Sequence, residues 1–301
     1  MSFYYLKEEM VIVLQNILDN IYDQEKFLIE NIGITWINYP SATQNIKGFG
    51  CGINQQKELY PASIIKLIYG LAVYHWIGKK QLIYDHQIDN AVEQMLSKSS
   101  NDATSFIIDI LTGTTSGPSI EGESWAHWKY QRQIINHWLK EFKWSELDRF
   151  NCCQKTWEDG PFGREKDFYG MNNWNKNLMS TNGTARILEE IMMKIKYEAN
   201  NINLKKYLSR KLKKDLINNE QNNQINGFLG EGIPEGTPFW SKAGLMSLVR
   251  HDAAWWINND YSQTLLVVFG DGKEFSQSET FLPNLAREIF AANKDFIKKG
   301  L

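Results

Sequence analysis

The residues with most chemistry to offer fall in three short strings: Ser63-Ile64-Ile65-Lys66, Ser99-Ser100-Asn101 and Lys242-Ala243-Gly244. In the first, a serine and a lysine three positions apart share one face of a helix, so the amine can reach the hydroxyl. A serine at a helix start also lies beside unpaired backbone N–H groups and the positive end of the helix dipole, both of which favour an oxyanion. Lys66 lies in apolar text, where desolvation favours the neutral amine that can take a proton from a serine hydroxyl. The second string offers a hydroxyl (Ser99) able to relay a proton and an amide (Asn101) able to bind a substrate amide. Short polar residues there also suit a helix cap, a role open to Ser100, Asn101 or Asp102. In the third, a strand cation is followed by two small residues, which let a ligand lie along the strand edge. Lys242 suits a substrate carboxylate, and its charge helps keep Lys66 neutral; an isolated lysine equally suits a surface strand end.

These strings need elements to position them. Residues 5–22 carry apolar side chains at helical spacing, and Ile32 to Tyr39 reads as a strand with a second before Gln55. From Ala62 to Ile77 the text is helical and almost wholly apolar, the mark of a buried helix. The stretch from about 80 to 225 is helix-dominated. Within it, helices are expected at Asp102 to Leu111, stopping at Gly113, and at Ile134 to Phe142; a third follows the capping pair Ser180-Thr181. Residues 217–226 are Asn/Gln-rich and read as a solvated loop. Three strands follow, Phe239 to Lys242, Leu248 to Ile257 and Thr264 to Phe269, and then a final helix from Phe281 to Lys298. The pattern predicts an α/β (α+β) protein. Residues 1–60 and 227–301 form an antiparallel sheet flanked by the N- and C-terminal helices, and a mostly helical domain, 61–226, is inserted with Ser63 and Ser99. The active site is expected between these lobes.

Composition narrows the function. Hydrophobic residues make up 43% and charged residues 23% of 301, ordinary globular usage with enough apolar text for a sizeable core. A net charge of −2 gives no footprint for nucleic acid. No apolar run is long enough to span a membrane, and the N-terminus lacks the pattern of a signal peptide, so the chain as written reads as cytoplasmic, or as periplasmic or secreted if a leader has been removed. Cys51, Cys152 and Cys153 make neither a disulfide framework nor a zinc spacing, and five scattered histidines offer no metal set. No metal or cofactor is expected, and the partner is a small-molecule substrate. The 11 tryptophans read mainly as core, with a ring-lined cleft as the alternative.

Taken together and in this order, the three strings resemble the active-site set of class A β-lactamases and penicillin-binding proteins. The surrounding ELYPASIIKL, SKSSNDATSFIIDIL, LMSTNGTARILEEI and SKAGLMSLVRHDAAWW are similar to that family's corresponding segments. The resemblance implies a β-lactamase/transpeptidase-like fold and a serine acyl-transfer hydrolase. Ser63 would be the acylated nucleophile, Lys66 its base and Ser99 the proton relay. Asn101, Lys242, Ala243 and Gly244 would bind substrate, with the N–H groups of Ser63 and Leu245 as the oxyanion hole. Two positions depart from the family. Ala243 replaces the usual Thr, whose hydroxyl helps hold the carboxylate; Ser247 or Arg250 is the candidate replacement. The family's Glu-x-x-x-Asn is absent: Glu165, the candidate for orienting water, has Tyr169 at the Asn offset, and Glu158 has Phe162. Without that carboxylate an acyl-enzyme lingers, which leaves open a β-lactamase, a D,D-peptidase, an esterase or amidase, or a non-catalytic descendant that only binds.

Overall fold

Strand β2 (Ile32–Tyr39) alternates two kinds of burial, and the fold follows from it. The computed structural model describes residues 2–40, 47–193, 198–213 and 224–298. The chain divides into two compact units: Met1–Lys57 with Ser180–Lys196 and Leu208–Leu301, and Glu58–Met179 with Tyr197–Tyr207. The division at 60 and 227 read from the sequence puts helix Thr181–Met193 in the helical lobe; the contacts place it in the sheet unit.

In the sheet unit, β1 (Tyr5–Leu6), β2, β3 (Phe49–Ile53), β4 (Ser209–Arg210), β5 (Phe239–Met246), β6 (Val249–Ile257) and β7 (Gln263–Asp271) are ordered β1-β3-β2-β7-β6-β5-β4. All neighbours are antiparallel except the two-residue β1–β3 pair. The β2, β5, β6 and β7 segments contain the stretches the sequence marks as strands, apart from Leu248, which precedes β6, since a strand buried on both faces reads as a continuous apolar run. One face, with Ile34 and Trp36, packs on Leu14, Ile17 and Ile21 of α1 (Glu8–Gln24) and on Leu285 and Ile289 of the C-terminal helix Phe281–Lys298. On the other, Thr35 donates to Thr181 at 2.9 Å and Tyr39 to Glu189 at 3.0 Å, both on helix Thr181–Met193. Ser180 caps that helix by accepting from the Gly183 N–H, as the sequence predicts.

The helical unit holds α2 (Lys66–Gly78), α3 (His86–Ser97), α4 (Asn101–Thr112), α5 (Gly122–Arg132), α6 (Ile134–Glu141) and α7 (Gly163–Tyr169). Helix α2 is buried almost all round, and α3 and α4 pack on it and on each other. Gly113 ends α4 with φ +65°, a left-handed cap that a glycine adopts without strain. The three cysteines are free and buried. Among the described residues no helix is long and apolar enough to cross a membrane.

Candidate active site

The helical unit brings two of the three strings together. Ser63 lies in a 3-10 turn, Ala62–Ile65, that runs directly into α2. Its side chain is half-buried, whereas Lys66, one turn on, is 0% exposed. The Lys66 Nζ lies 2.6 Å from the Ser99 carbonyl oxygen, 3.2 Å from Ser99 Oγ and 2.8 Å from Asn101 Oδ1. Burial pushes this amine down from 10.5 to about 7, with the Glu158 carboxylate pulling the other way. A neutral amine has two N–H groups and one lone pair. The two obligate acceptors, carbonyl and amide oxygen, take the N–H groups, and the Ser99 hydroxyl can donate to the lone pair. All three contacts therefore survive deprotonation.

Local backbone explains how these side chains are free to meet. Ser100 caps α4, its Oγ accepting from the Ala103 N–H at 3.1 Å, so Ser99 and Asn101 are released from capping. Ser99 itself has φ +58°, and Ala62, just before Ser63, has φ +46°. Each left-handed non-glycine residue costs roughly 1–2 kcal/mol. Strain of this kind collects where a side chain must be aimed. Thr156, which sequence reasoning passed over, donates to Asn101 Oδ1 at 2.8 Å. With its oxygen taken by Lys66 and Thr156, the Asn101 amide turns its NH₂ elsewhere.

Glu165, the sequence candidate for orienting water, lies in a buried charge cluster. Its carboxylate is buried and receives the Arg132 guanidinium in fork geometry, at 3.0 and 2.7 Å, and the Ser116 hydroxyl at 2.8 Å. Lys155 lies 3.7 Å away and itself pairs with Asp109 at 2.8 Å. A carboxylate so committed makes a poor general base, because taking a proton would leave Arg132 buried without its counter-charge. Glu158, set aside at the sequence level, is exposed and is the carboxylate whose field reaches Lys66. Its signal in the sequence was position: it follows Thr156 by two residues.

The sheet unit carries the third string. Lys242 is fully buried, not a surface lysine, and its Nζ donates to Gln224 Oε1 at 2.6 Å and to the Ala243 carbonyl at 2.8 Å. Gln224 also accepts from the Ala243 N–H at 3.2 Å. The Asn/Gln-rich segment is thus no plain solvated loop at this residue; its part at 217–223 lies outside the described residues. Because the Ala243 N–H turns away from β6, Ala243 and Asp252 form a non-hydrogen-bonded pair. Leu245, two residues on and opposite Arg250, has the same orientation, so its N–H and C=O face the β5 edge that points away from β6. The short β4 covers only Phe239 and Trp240 of that edge. Gly244 adds no side chain between them.

Arg250 does not present its charge as the sequence reading expects. It is buried over Phe228, 5.1 Å from the ring centroid, and donates to the carbonyl oxygens of Gly227 and Ser276. Asp252, on the same strand, is also buried, and burial pushes its carboxyl up to about 7, with the Leu229 N–H and the Lys242 and Arg210 charges pulling it back. Among the described residues no cluster of three His, Cys, Asp or Glu side chains could hold a metal ion.

Comparison with known proteins adds the following. A model of the beta-lactamase enzyme family matches residues 86–292, a span that includes Ser99, Asn101 and Lys242 but begins after Ser63 and Lys66. No curated protein matches by sequence. Among solved structures, PBP-A superposes with a TM-score of 0.63 at 15% identity, covering 97% of this chain and 98% of that one. A beta-lactamase from Chitinophaga pinensis DSM 2588 gives 0.64 at 16% identity over 93% and 99%. The TLA-3 extended-spectrum beta-lactamase gives 0.66 at 11% over 94% and 99%. At such identities the likeness speaks for the fold, the β-lactamase/transpeptidase-like arrangement that the sequence implies.

Proposed function

The chain belongs to the beta-lactamase enzyme family, and on that footing we propose that it is a serine acyl-transfer hydrolase that becomes acylated on Ser63. One observation carries the reading: a buried lysine whose amine is held near neutrality, bonded to Ser99 and Asn101, one helical turn from a half-exposed serine. The Ser63 Oγ attacks the carbonyl carbon of a β-lactam or related amide or ester, and its proton passes to Lys66. The oxyanion is held by the N–H groups of Ser63 and Leu245. Ser99 hands its proton to the departing nitrogen or oxygen and takes in exchange the one that Lys66 carries, 3.2 Å away, which breaks the scissile bond, leaves the acyl ester and returns Lys66 to the neutral amine. Asn101 binds the substrate amide through its NH₂, and Lys242 meets the carboxylate. Glu158 takes the water-orienting role in hydrolysis of the ester, in place of Glu165.

Two departures favour a second reading, an acyl-enzyme that releases product slowly, as a D,D-peptidase, esterase or amidase would on meeting a β-lactam. Ala243 lacks the hydroxyl that would grip a carboxylate, and Phe162 stands where a second polar group would help hold water. Intact-mass measurement with a labelled penicillin and a fluorophosphonate decides the main claim. An adduct is expected on the wild type and absent from Ser63→Ala; an adduct that survives Ser63→Ala rejects the proposal. Steady nitrocefin turnover then marks a β-lactamase, and a burst followed by a stall marks the slow form.

A further inference from the structure

A second concave site lies within the helical unit and plays no part in the Ser63 chemistry. Between the α5–α6 face, the end of α7 and the loop that follows it is a cleft of about 420 Å³, within the roughly 300–1,000 Å³ usual for small-ligand pockets. Its walls are aromatic: Trp125, Tyr130, Phe168 and Trp174. Its polar groups are Lys129 of α5, Gln133 at the α5–α6 junction, His137 of α6 and Asp167 of α7.

The rings are held in place. Trp125 stacks on Trp128 at 5.4 Å, and Phe168 meets Trp128 edge-on at 5.3 Å, so the floor is a small core of its own. Trp174 is 72% exposed and Tyr130 67%. Trp174 is kept outward by a built loop. Gly170 has φ +80°, and a Cβ there would lie 1.8 Å from Trp174 Nε1. Asn172 and Asn173 are left-handed, at φ +55° and +58°, and Asn175 ties the loop back to the Phe168 carbonyl at 2.8 Å. Left-handed residues spent on exposing a large ring are costly in both strain and hydration, a cost that a ligand on the ring offsets.

The chemistry of the walls selects the ligand. A cation is disfavoured, since Lys129 already lies 5.2 Å from the Trp125 ring centroid. An anion is disfavoured by the exposed Asp167 carboxylate at the rim. Flat apolar faces with hydrogen-bonding edges remain on the exposed Trp174 and Tyr130, and pyranose rings match them: C–H faces lie on these two rings over the Trp125 floor, and hydroxyls reach amide, imidazole and carboxylate groups. We propose that this cleft is a binding site for a neutral oligosaccharide, separate from the Ser63 site and independent of what that site does.

Calorimetry and tryptophan fluorescence with cellohexaose, maltohexaose and chitohexaose test this on the full chain. Saturable binding to at least one is expected, weakened by about tenfold or more in Trp174→Ala and in Trp125→Ala, with Ser63 labelling rates and melting temperature of Trp174→Ala unchanged. Absence of saturable binding to all three at millimolar concentration overturns the proposal, and so does undiminished affinity in Trp174→Ala. Self-association that Trp174→Ala removes, with no sugar bound, assigns the cleft to a second copy and also overturns it.

Discussion

Two buried polar clusters in the helical unit hold lysines in opposite circumstances. Lys155 has carboxylates, Asp109 at 2.8 Å and Glu165 at 3.7 Å, with Arg132 completing a four-charge set of zero net charge. Among the described residues Lys66, equally buried, is bonded to neutral groups alone: a carbonyl, a hydroxyl and an amide. The opposing charge that reaches it, Glu158, acts through its field. Burial with full counter-charge keeps ions as ions and ties elements together; burial without it drives the proton off and makes a base. The second cluster is structural for the same reason that the first is suited to chemistry.

The largest expected effect breaks the Lys66 side of the comparison. Lys66→Met lowers the acylation rate by about 10²–10⁴-fold, the usual worth of a positioned base. It leaves stability unchanged or raised, since it removes a buried amine with no bonded counter-charge. Stopped-flow acylation and calorimetric melting measure the two; a large fall in melting temperature would make Lys66 a structural residue. Next is the paired cluster. Arg132→Met destabilises by about 3–5 kcal/mol in urea, because it strands the Glu165 carboxylate. Arg132→Met with Glu165→Leu recovers much of that loss, and if the double variant is no more stable than the single, the pairing account fails.

The pH profile sharpens the contrast. Lys66 acts as a base when neutral, so acylation rises with pH through about 7. Glu158 raises the lysine pKa, so Glu158→Gln moves that limb to lower pH while slowing release of the acyl group; an unmoved limb removes Glu158 from the site. Stability follows the same group. The unfolded lysine, near 10.5, binds its proton more tightly than the folded one at about 7, so between those values the unfolded state carries more protons and stability rises with pH. In Lys66→Met that rise flattens. The smallest effect is at Thr156→Val, which removes one donor to Asn101. A loss of about 0.5–1.5 kcal/mol in acylation free energy is expected, read from kcat/KM, and no change at all would mean that the amide is oriented without it.

Much of the scaffold was readable in advance. Strand β2, the buried helix after Ala62, the Gly113 stop and the Ser180 cap each stand where periodicity and capping residues put them. What failed was partner choice. Glu158 and Glu165 are carboxylates close together in the sequence, one in a loop and one on α7, and nothing local says that Glu165 is locked to Arg132 while the field of the exposed Glu158 reaches Lys66. Arg250 and Gln224 exchanged expected roles in the same way. The arginine is committed to the Gly227 and Ser276 carbonyls, and the residue from an apparently solvated run holds Lys242.

The sequence by itself determined the elements and the chemical inventory, because periodicity and caps are decided by neighbours within a turn or two. Only the tertiary structure decided which charges are paired. Lys66 meets residues 33 and 35 positions away, and Arg132 meets a carboxylate 33 positions on. A buried amine becomes a base or a brace according to whether a carboxylate arrives from a distant segment, and no local pattern carries that information.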